Sequence, residues 1–246
     1  MKALPSPNKI GLGIVTYNRP DYFQQCLDGV AKHMGDANVI WTHNDGSTED
    51  YSNVTVPDHI QVHTAEKNGG VAKSKNWLLR KLLDEGCDYI FLLEDDVVPI
   101  SDQAIAGYID AANQSKLHHY NFAHHGIAND QGPAMLAGKT NFYHHFVGAY
   151  SMYTRPSLEE VGLFDEKFHN AWEHVELSWR LAQHNYSSWP LAADARDSKQ
   201  WLQEIPGSIE NSSIRHTPEW RANVWDGFDY WKEKDPAFPL AHLDQR

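Results

Sequence analysis

The sequence predicts an α/β fold: a single Rossmann-like domain, with a mostly parallel central sheet flanked by helices and a C-terminal extension. Three observations carry this expectation. Short apolar runs alternate with stretches of helical period through the first hundred residues. Polar and glycine-rich loops sit where the apolar runs finish. The chain has 246 residues, of which 41% are hydrophobic and 12% aromatic, enough to bury one substantial core.

Taken in order, Ile10 to Val15 reads as a strand, and Arg19 to Met34 as a helix that opens near Pro20 and repeats apolar residues at Phe23, Leu27, Val30 and Ala31. Val39 to Thr42 is a second strand, ending in Asn44-Asp45-Gly46-Ser47-Thr48, and Ile60 to His63 a third, followed by Asn68-Gly69-Gly70. Val71 to Glu85 carries Leu78, Leu79, Leu82 and Leu83 at helical spacing, and Tyr89 to Leu93 is an apolar run that leads into Glu94, Asp95 and Asp96. Later elements are weaker: a helix near Asp102 to Ala112, strands around Asn121 to His124 and Phe142 to Met152, and a helix over Trp172 to Asn185. From Asp194 to Arg246 periodicity is weak, and no repeat, low-complexity tract or linker interrupts the chain.

Charge and cysteine content narrow the function. Lys and Arg total 21 against 33 Asp and Glu, a net charge of −12, which disfavours nucleic acid and anionic membranes as partners. No run approaches the ~20 apolar residues that span a bilayer. Cys26 and Cys87 are the two cysteines, and the start of the chain lacks a secretion-signal pattern, so free thiols in the cytoplasm are expected. Peripheral attachment at the inner membrane surface is compatible with these features.

Strands joined by helices run parallel, with right-handed crossovers, and such sheets bind ligands at the carboxyl ends of their strands. The loops at Thr16 to Arg19, Asn44 to Thr48, Asn68 to Gly70 and Glu94 to Asp96 should therefore converge on one edge. Three adjacent carboxylates repel one another unless a cation compensates them, and an oxygen set of this kind suits a hard divalent ion.

At these residues the chain resembles family 2 glycosyltransferases of the GT-A fold. The segments Ile14-Val15-Thr16-Tyr17-Asn18-Arg19-Pro20, Asn44 to Thr48, Asn68-Gly69-Gly70-Val71-Ala72 with Asn76, and Leu92-Leu93-Glu94-Asp95-Asp96 occur in the family's order. The likeness continues through Phe146 to Tyr150, Val161 to Glu166 and Trp172 to Arg180, reaching His216, and covers roughly residues 8 to 220. The resemblance implies one GT-A domain over residues 1–246: a nucleotide-sugar half at about 8–100, an acceptor half at about 101–220 and an extension at about 221–246.

It also implies roles. Thr16 and Tyr17 would flank the base, Asp45 would accept the imide hydrogen of uracil, and Asp95 would touch the ribose. Asp96 and His216 would bind the cation, a mixed set that suits Mn²⁺ somewhat better than Mg²⁺. Asn18, Arg19, Asn68, Gly69 and Glu94 complete the donor set, together with Lys75, which stands where the family usually has an arginine and lacks its bidentate fork. The acceptor hydroxyl needs a base. Relatives supply it from a Glu-Asp pair; here the pair is Glu173-His174, with Glu173 the first choice and His174 the second because imidazole titrates near neutrality.

The expected activity is a metal-dependent, inverting transfer of a sugar from a nucleotide diphosphate, UDP favoured, to a hydroxyl of a glycan or glycoconjugate, as in polysaccharide biosynthesis. Glu173 and Glu176 with Ser178 and Arg180 also resemble retaining relatives. Two other classes are weighed: a sugar-nucleotide nucleotidyltransferase, which needs a glycine-rich loop where this chain has Thr16-Tyr17-Asn18-Arg19-Pro20, and a glycan-binding domain with an altered base.

Three further features stand beside the motifs. Arg215, Lys232 and Lys234 lie near His216, and Tyr230 to Lys234 resemble a segment that closes on phosphates in some relatives. The 15 histidines include no structural zinc spacing, and His124, His125 and His145 are candidates to hydrogen-bond a sugar. Seven of the nine tryptophans follow residue 170, mostly as core, with Trp172 the first candidate to stack on a sugar.

Overall fold

A computed structural model describes residues 2–215 and 217–240. A six-stranded sheet runs β3 (Ile60–Thr64), β2 (Val39–Asn44), β1 (Ile10–Thr16), β4 (Tyr89–Glu94), β9 (Tyr150–Thr154), β6 (His119–Asn121). The first four strands are mutually parallel, while β9 is antiparallel to both of its neighbours. Helices α1 (Pro20–His33) and α2 (Val71–Asp84) lie in the crossovers.

The two faces of the sheet are sorted by strand alternation. Tyr89, Phe91 and Leu93 of β4 join the core that α1 and α3 (Gln103–Ser115) complete with Phe23, Leu27, Ile105 and Tyr108. Ile90 and Leu92 face the opposite core, with Leu78, Leu79 and Leu82 of α2 and Leu177 and Leu181 of α5 (Glu173–Gln183). Glycine at Gly11 and Gly13 lets α2 lie close on β1: a Cβ at Gly11 would stand 2.8 Å from Leu82 Cδ2, and one at Gly13 3.0 Å from Leu78 Cβ.

The second half departs from the sequence reading in three places. The single strand expected over Phe142 to Met152 is two: β8 (Thr140–Tyr143) pairs with β7 (Met135–Ala137) and β10 (Ala192–Ala195), whereas β9 joins the main sheet. Asn129 enforces the break, because its amide bonds both the N–H and the C=O of His145 in the intervening loop. The strand expected at Asn121 to His124 ends at Asn121; the Ala123 amide then donates to the buried Asp194 carboxylate instead of to a neighbouring strand.

The weakly periodic tail holds β10, β11 (Leu202–Glu204) and α6 (Pro218–Lys234). Three short elements complete the list: β5 (Val97–Pro99), paired with β11, α4 (Arg155–Val161) and a 3-10 turn at Ser198–Gln200. Helix α6 starts at Pro218 behind a Thr217 cap whose hydroxyl accepts from the Trp220 amide at 3.2 Å. Its Phe228 and Trp231 pack with Phe168, Trp172 and Phe238 in an aromatic cluster against α5, which is where several of the expected core tryptophans lie. Among the described residues no helix is long and apolar enough to cross a membrane, and both cysteines are free and buried.

Candidate active site at the carboxyl edge of the sheet

The four strand-end loops meet at one cavity of about 850 Å³. Thr16, Tyr17, Arg19, Asp45, Asn68, Glu94, Asp95 and Asp96 line it from the sheet side, and Glu173 and His174 from the start of α5. The parallel ladders explain the convergence: the Asp45 amide continues toward Thr16 O at 3.0 Å and the Asp95 amide toward Val15 O at 3.2 Å, so neighbouring strands end level with one another.

The floor is a charged cluster. Arg19 forks onto both aspartates, pairing with Asp95 Oδ1 and, at 3.1 Å, with Asp96 Oδ2. Thr16 Oγ1 donates to Asp95 Oδ2 at 2.6 Å, and the Tyr51 hydroxyl, 2.8 Å from Thr16 Oγ1, also accepts from the Arg19 amide. Burial raises Asp95 above the usual carboxylate range, with Asp96 adding to the effect and Arg19 opposing it. Asp96 is pushed upward by burial too, yet His125 and Arg19 beside it outweigh that and hold it well below its ordinary value.

Asp45 is oriented by the glycine loop, its two oxygens accepting from the Gly69 and Gly70 amides at 2.9 and 3.0 Å. Each oxygen keeps a second lone pair.

At α5 the two glutamates part company. Glu173 faces the cavity; its Oε1 is 3.2 Å from His174 Nδ1 and 3.9 Å from Lys75 Nζ. Burial would raise it, but His174 and Lys75 prevail and bring it to about 2. His174 Nε2 lies 3.2 Å from Phe146 O, so both ring nitrogens face oxygen acceptors and no ring lone pair is turned to the cavity. Glu176 points away, into Arg180 at 2.7 Å and Lys234 at 2.7 Å.

Several sequence-designated residues lie off the cavity. Lys75 is wholly buried, donating to Glu94 Oε1 at 2.5 Å and Gly148 O at 3.0 Å, which leaves it as a strut behind the wall. Asn18 organises the next loop, its side-chain oxygen accepting from the Thr48 and Glu49 amides. Gly69 acts through its amide on Asp45. Lys234 pairs with Asp165 and Glu176, Tyr230 donates to Asp165, and Trp231 is core, so the 230–234 segment does not line the cavity, whereas Arg215 does. His216 lies outside the described residues. His145 is exposed and off the cavity, while His124 and His125 line it. Trp172 lines it too, with its indole N–H committed to Val224 O at 2.7 Å.

Glu204 and Asn170 also line the cavity. Register Glu204↔Val97 sets Glu204 beside the Asp96 turn, where its Oε2 takes the Gly126 amide. Asn170 sits at φ 61° and accepts from the Val71 amide at 3.2 Å. No periodic or motif signal marks either residue.

The donor set fits a divalent cation at Asp96. Asp96 Oδ1 and His125 Nε2 are both buried without a hydrogen-bond partner, and mixed carboxylate and imidazole donors suit Mn²⁺. The described residues contain no ready-made cluster of three such ligands, so the remaining positions would fall to phosphate oxygens and water, as is usual for ions that bridge nucleotide phosphates.

Comparison with known proteins places this geometry. The model of the glycosyl transferase family 2 matches residues 12–162, more than half of the chain. A mannosyltransferase, PcManGT from Pyrobaculum calidifontis, solved with GDP-Man and Mn²⁺, is similar with a TM-score of 0.62 at 13% identity, over 98% of this chain and 70% of that one. TarS of S. aureus is similar with a TM-score of 0.55 at 16% identity, over 76% of this chain and 36% of that one. Its 1–349 form, solved with UDP, gives 0.52 at 15% identity, over 70% and 55%. The chain thus spans about a third of TarS, and at these identities the likeness is one of fold. No curated protein matches. The ordered motifs at the sheet edge, the α/β architecture shared with these enzymes and the family match establish that the chain belongs to glycosyl transferase family 2.

Proposed function

We propose that this chain is a metal-dependent, inverting glycosyltransferase that moves a sugar from a UDP-type donor to a hydroxyl of a glycan or glycoconjugate. The observation that supports this best is the partnerless, buried Asp96 oxygen on the floor of a cavity into which the family's four motif loops converge. In this reading residues of about 8–100 hold the donor, about 101–220 face the acceptor, and the remainder is an extension.

Asp45, fixed by the Gly69 and Gly70 amides, accepts the uracil imide hydrogen with a remaining lone pair, and Tyr17 and Thr16 flank the base. Arg19 and Asp95 meet the ribose and phosphates. Asp96, with His216 as the imidazole that the resemblance supplies, would hold the cation, which would supply positive charge to the departing diphosphate. Acidic side chains outnumber basic ones around this cavity, so a diphosphate would be repelled without that positive charge.

Glu173 takes the acceptor proton. It is favoured over His174, whose nitrogens are both turned to oxygen acceptors and which therefore fits a positioning partner. Attack by the deprotonated hydroxyl in one displacement inverts the anomeric carbon. The test is UDP release from a panel of UDP-sugars with Mn²⁺, Mg²⁺ or chelator, followed by NMR of the first-formed anomer. Chelator-insensitive release would remove the metal from the mechanism, and a retained anomer would remove the single displacement.

A further inference from the structure

Three histidines line the cavity among the described residues, and their ring nitrogens differ in commitment. His124 Nε2 is 3.1 Å from the Tyr143 hydroxyl, and both nitrogens of His174 face acceptors. His125 is 6% exposed, and its Nε2 has no hydrogen-bond partner although it stands 3.2 Å from Asp96 Oδ2. A buried imidazole nitrogen left unpaired carries a desolvation cost, so this atom calls for a partner of another kind.

We propose that His125 is an imidazole ligand of the catalytic cation, sharing it with Asp96. Two donors next to each other on an octahedral ion, each ~2.1 Å from it, lie about 3.0 Å apart. The 3.2 Å between His125 Nε2 and Asp96 Oδ2 is close to that separation, and with no hydrogen bond between the two atoms both remain available to one ion. The partnerless Asp96 Oδ1 adds acceptor capacity at the same spot.

The loop that carries His125 is built to hold it there. Ala123 N donates to Asp194 at 3.0 Å on one side of it, and Gly126 N donates to Glu204 Oε2 on the other. Glu204 Oε2 stands 3.9 Å from His125 Nε2 and holds the loop through the Gly126 amide, not through the ring. Metal ligands are commonly fixed by an outer shell of this sort.

This inference rests on the metal-dependent reading above, and the experiment separates the two. Mn²⁺ binding in the presence of UDP is followed by electron paramagnetic resonance, with pulsed detection of ¹⁴N coupling, for wild type, D96N, H125Q, H216Q and H125Q/H216Q. H125Q should weaken Mn²⁺ binding by at least ~10-fold. H216Q should keep a nitrogen coupling that the double variant loses. Wild-type affinity and coupling in H125Q, together with lost binding in D96N, would overturn the role of His125 while leaving the metal in place. Absence of Mn²⁺ binding by wild type with UDP would overturn both. H216Q retains His125 and Asp96, so bound Mn²⁺ without a nitrogen coupling in that variant refutes the inference even if H125Q does not fold.

Discussion

The two walls of the cavity are built by different means. On the sheet side, Thr16, Asp45 and Glu94 to Asp96 stand where they do because parallel ladders end level, and the bonds that fix them run between main-chain atoms such as Asp45 N and Thr16 O. On the other side, segments 124–130, 146–149, 170–175 and 204–215 are mostly irregular chain, held by single buried polar side chains: Asp194 under Ala123, Asn129 across His145, Asn170 on Val71, Glu204 on Gly126. A wall fixed by backbone pairing tolerates side-chain changes without moving. A wall fixed by individual side chains carries geometry and stability in the same residues.

The sharpest way to break this contrast is at Asp96 on the sheet side. Asp96→Ala should cut Mn²⁺-dependent UDP release ~10³-fold or more, because several kcal/mol of charge stabilisation disappear from the departing diphosphate. Circular dichroism should show the fold retained. Release within tenfold of wild type would strip the sheet edge of its assigned role.

Helix α5 offers the same contrast within one turn. Glu173→Gln should lower kcat by ~10²- to 10⁴-fold with donor affinity little changed, as expected for loss of a general base. Glu176→Gln removes the buried carboxylate between Arg180 and Lys234, so Arg180 loses its ion-pair partner and Lys234 keeps only Asp165, for a loss of roughly 3 kcal/mol. For a chain of this length that lowers Tm by on the order of 10 °C. Calorimetry and steady-state kinetics on both variants decide it: if both lose activity and keep their Tm, the division between a chemical and a structural glutamate is wrong.

The same contrast explains what could be read from the sequence. The sheet side was legible almost residue by residue, since strand alternation, crossover helices and terminal loops are local patterns and topology carries them to one edge. Even there, Lys75 and Asn18 share motifs with cavity residues but lie off the cavity, because the one meets Glu94 and the other the Thr48 and Glu49 amides, partners that no local pattern names. The loop side was not legible. Glu204 reaches the site through a three-residue strand paired with Val97, a contact across more than a hundred positions. His125 read as a sugar contact because nothing local announces that its Nε2 meets Asp96. Helix α6 was hidden because its aromatic residues serve a cluster with Phe168 and Trp172 rather than one apolar stripe.

Asp194 sharpens the comparison at smaller amplitude. Its carboxylate accepts from Tyr108, Ala123 and Ser198. Asp194→Asn turns an amide donor toward donors, so a loss of ~1–3 kcal/mol is expected. Because the Ala123 tether positions His125, Mn²⁺ affinity should fall with it. Unchanged metal binding in a destabilised variant would uncouple the loop wall from the ion.

The last effect is a pH dependence carried by the main sheet rather than by the cavity walls. His119, at the root of β6, is buried with Nδ1 3.0 Å from Met152 O and Nε2 2.9 Å from the Ser178 hydroxyl, and burial pushes it from 6.5 down to about 4. Between these values the unfolded chain binds the proton and the folded one does not. The contribution of this ring to stability is therefore complete above pH 6.5 and is lost as pH falls toward 4, by about 1 kcal/mol for each pH unit. Asp194, which burial raises to about 7, acts in the opposite sense over the same interval, so the wild-type Tm profile alone is ambiguous. The difference between His119→Gln and wild type isolates the ring: the variant should gain on wild type steadily as pH drops from 6.5 to 4. A Tm difference that stays constant across that interval would mean that His119 charges freely in the folded state and that β6 is open to solvent.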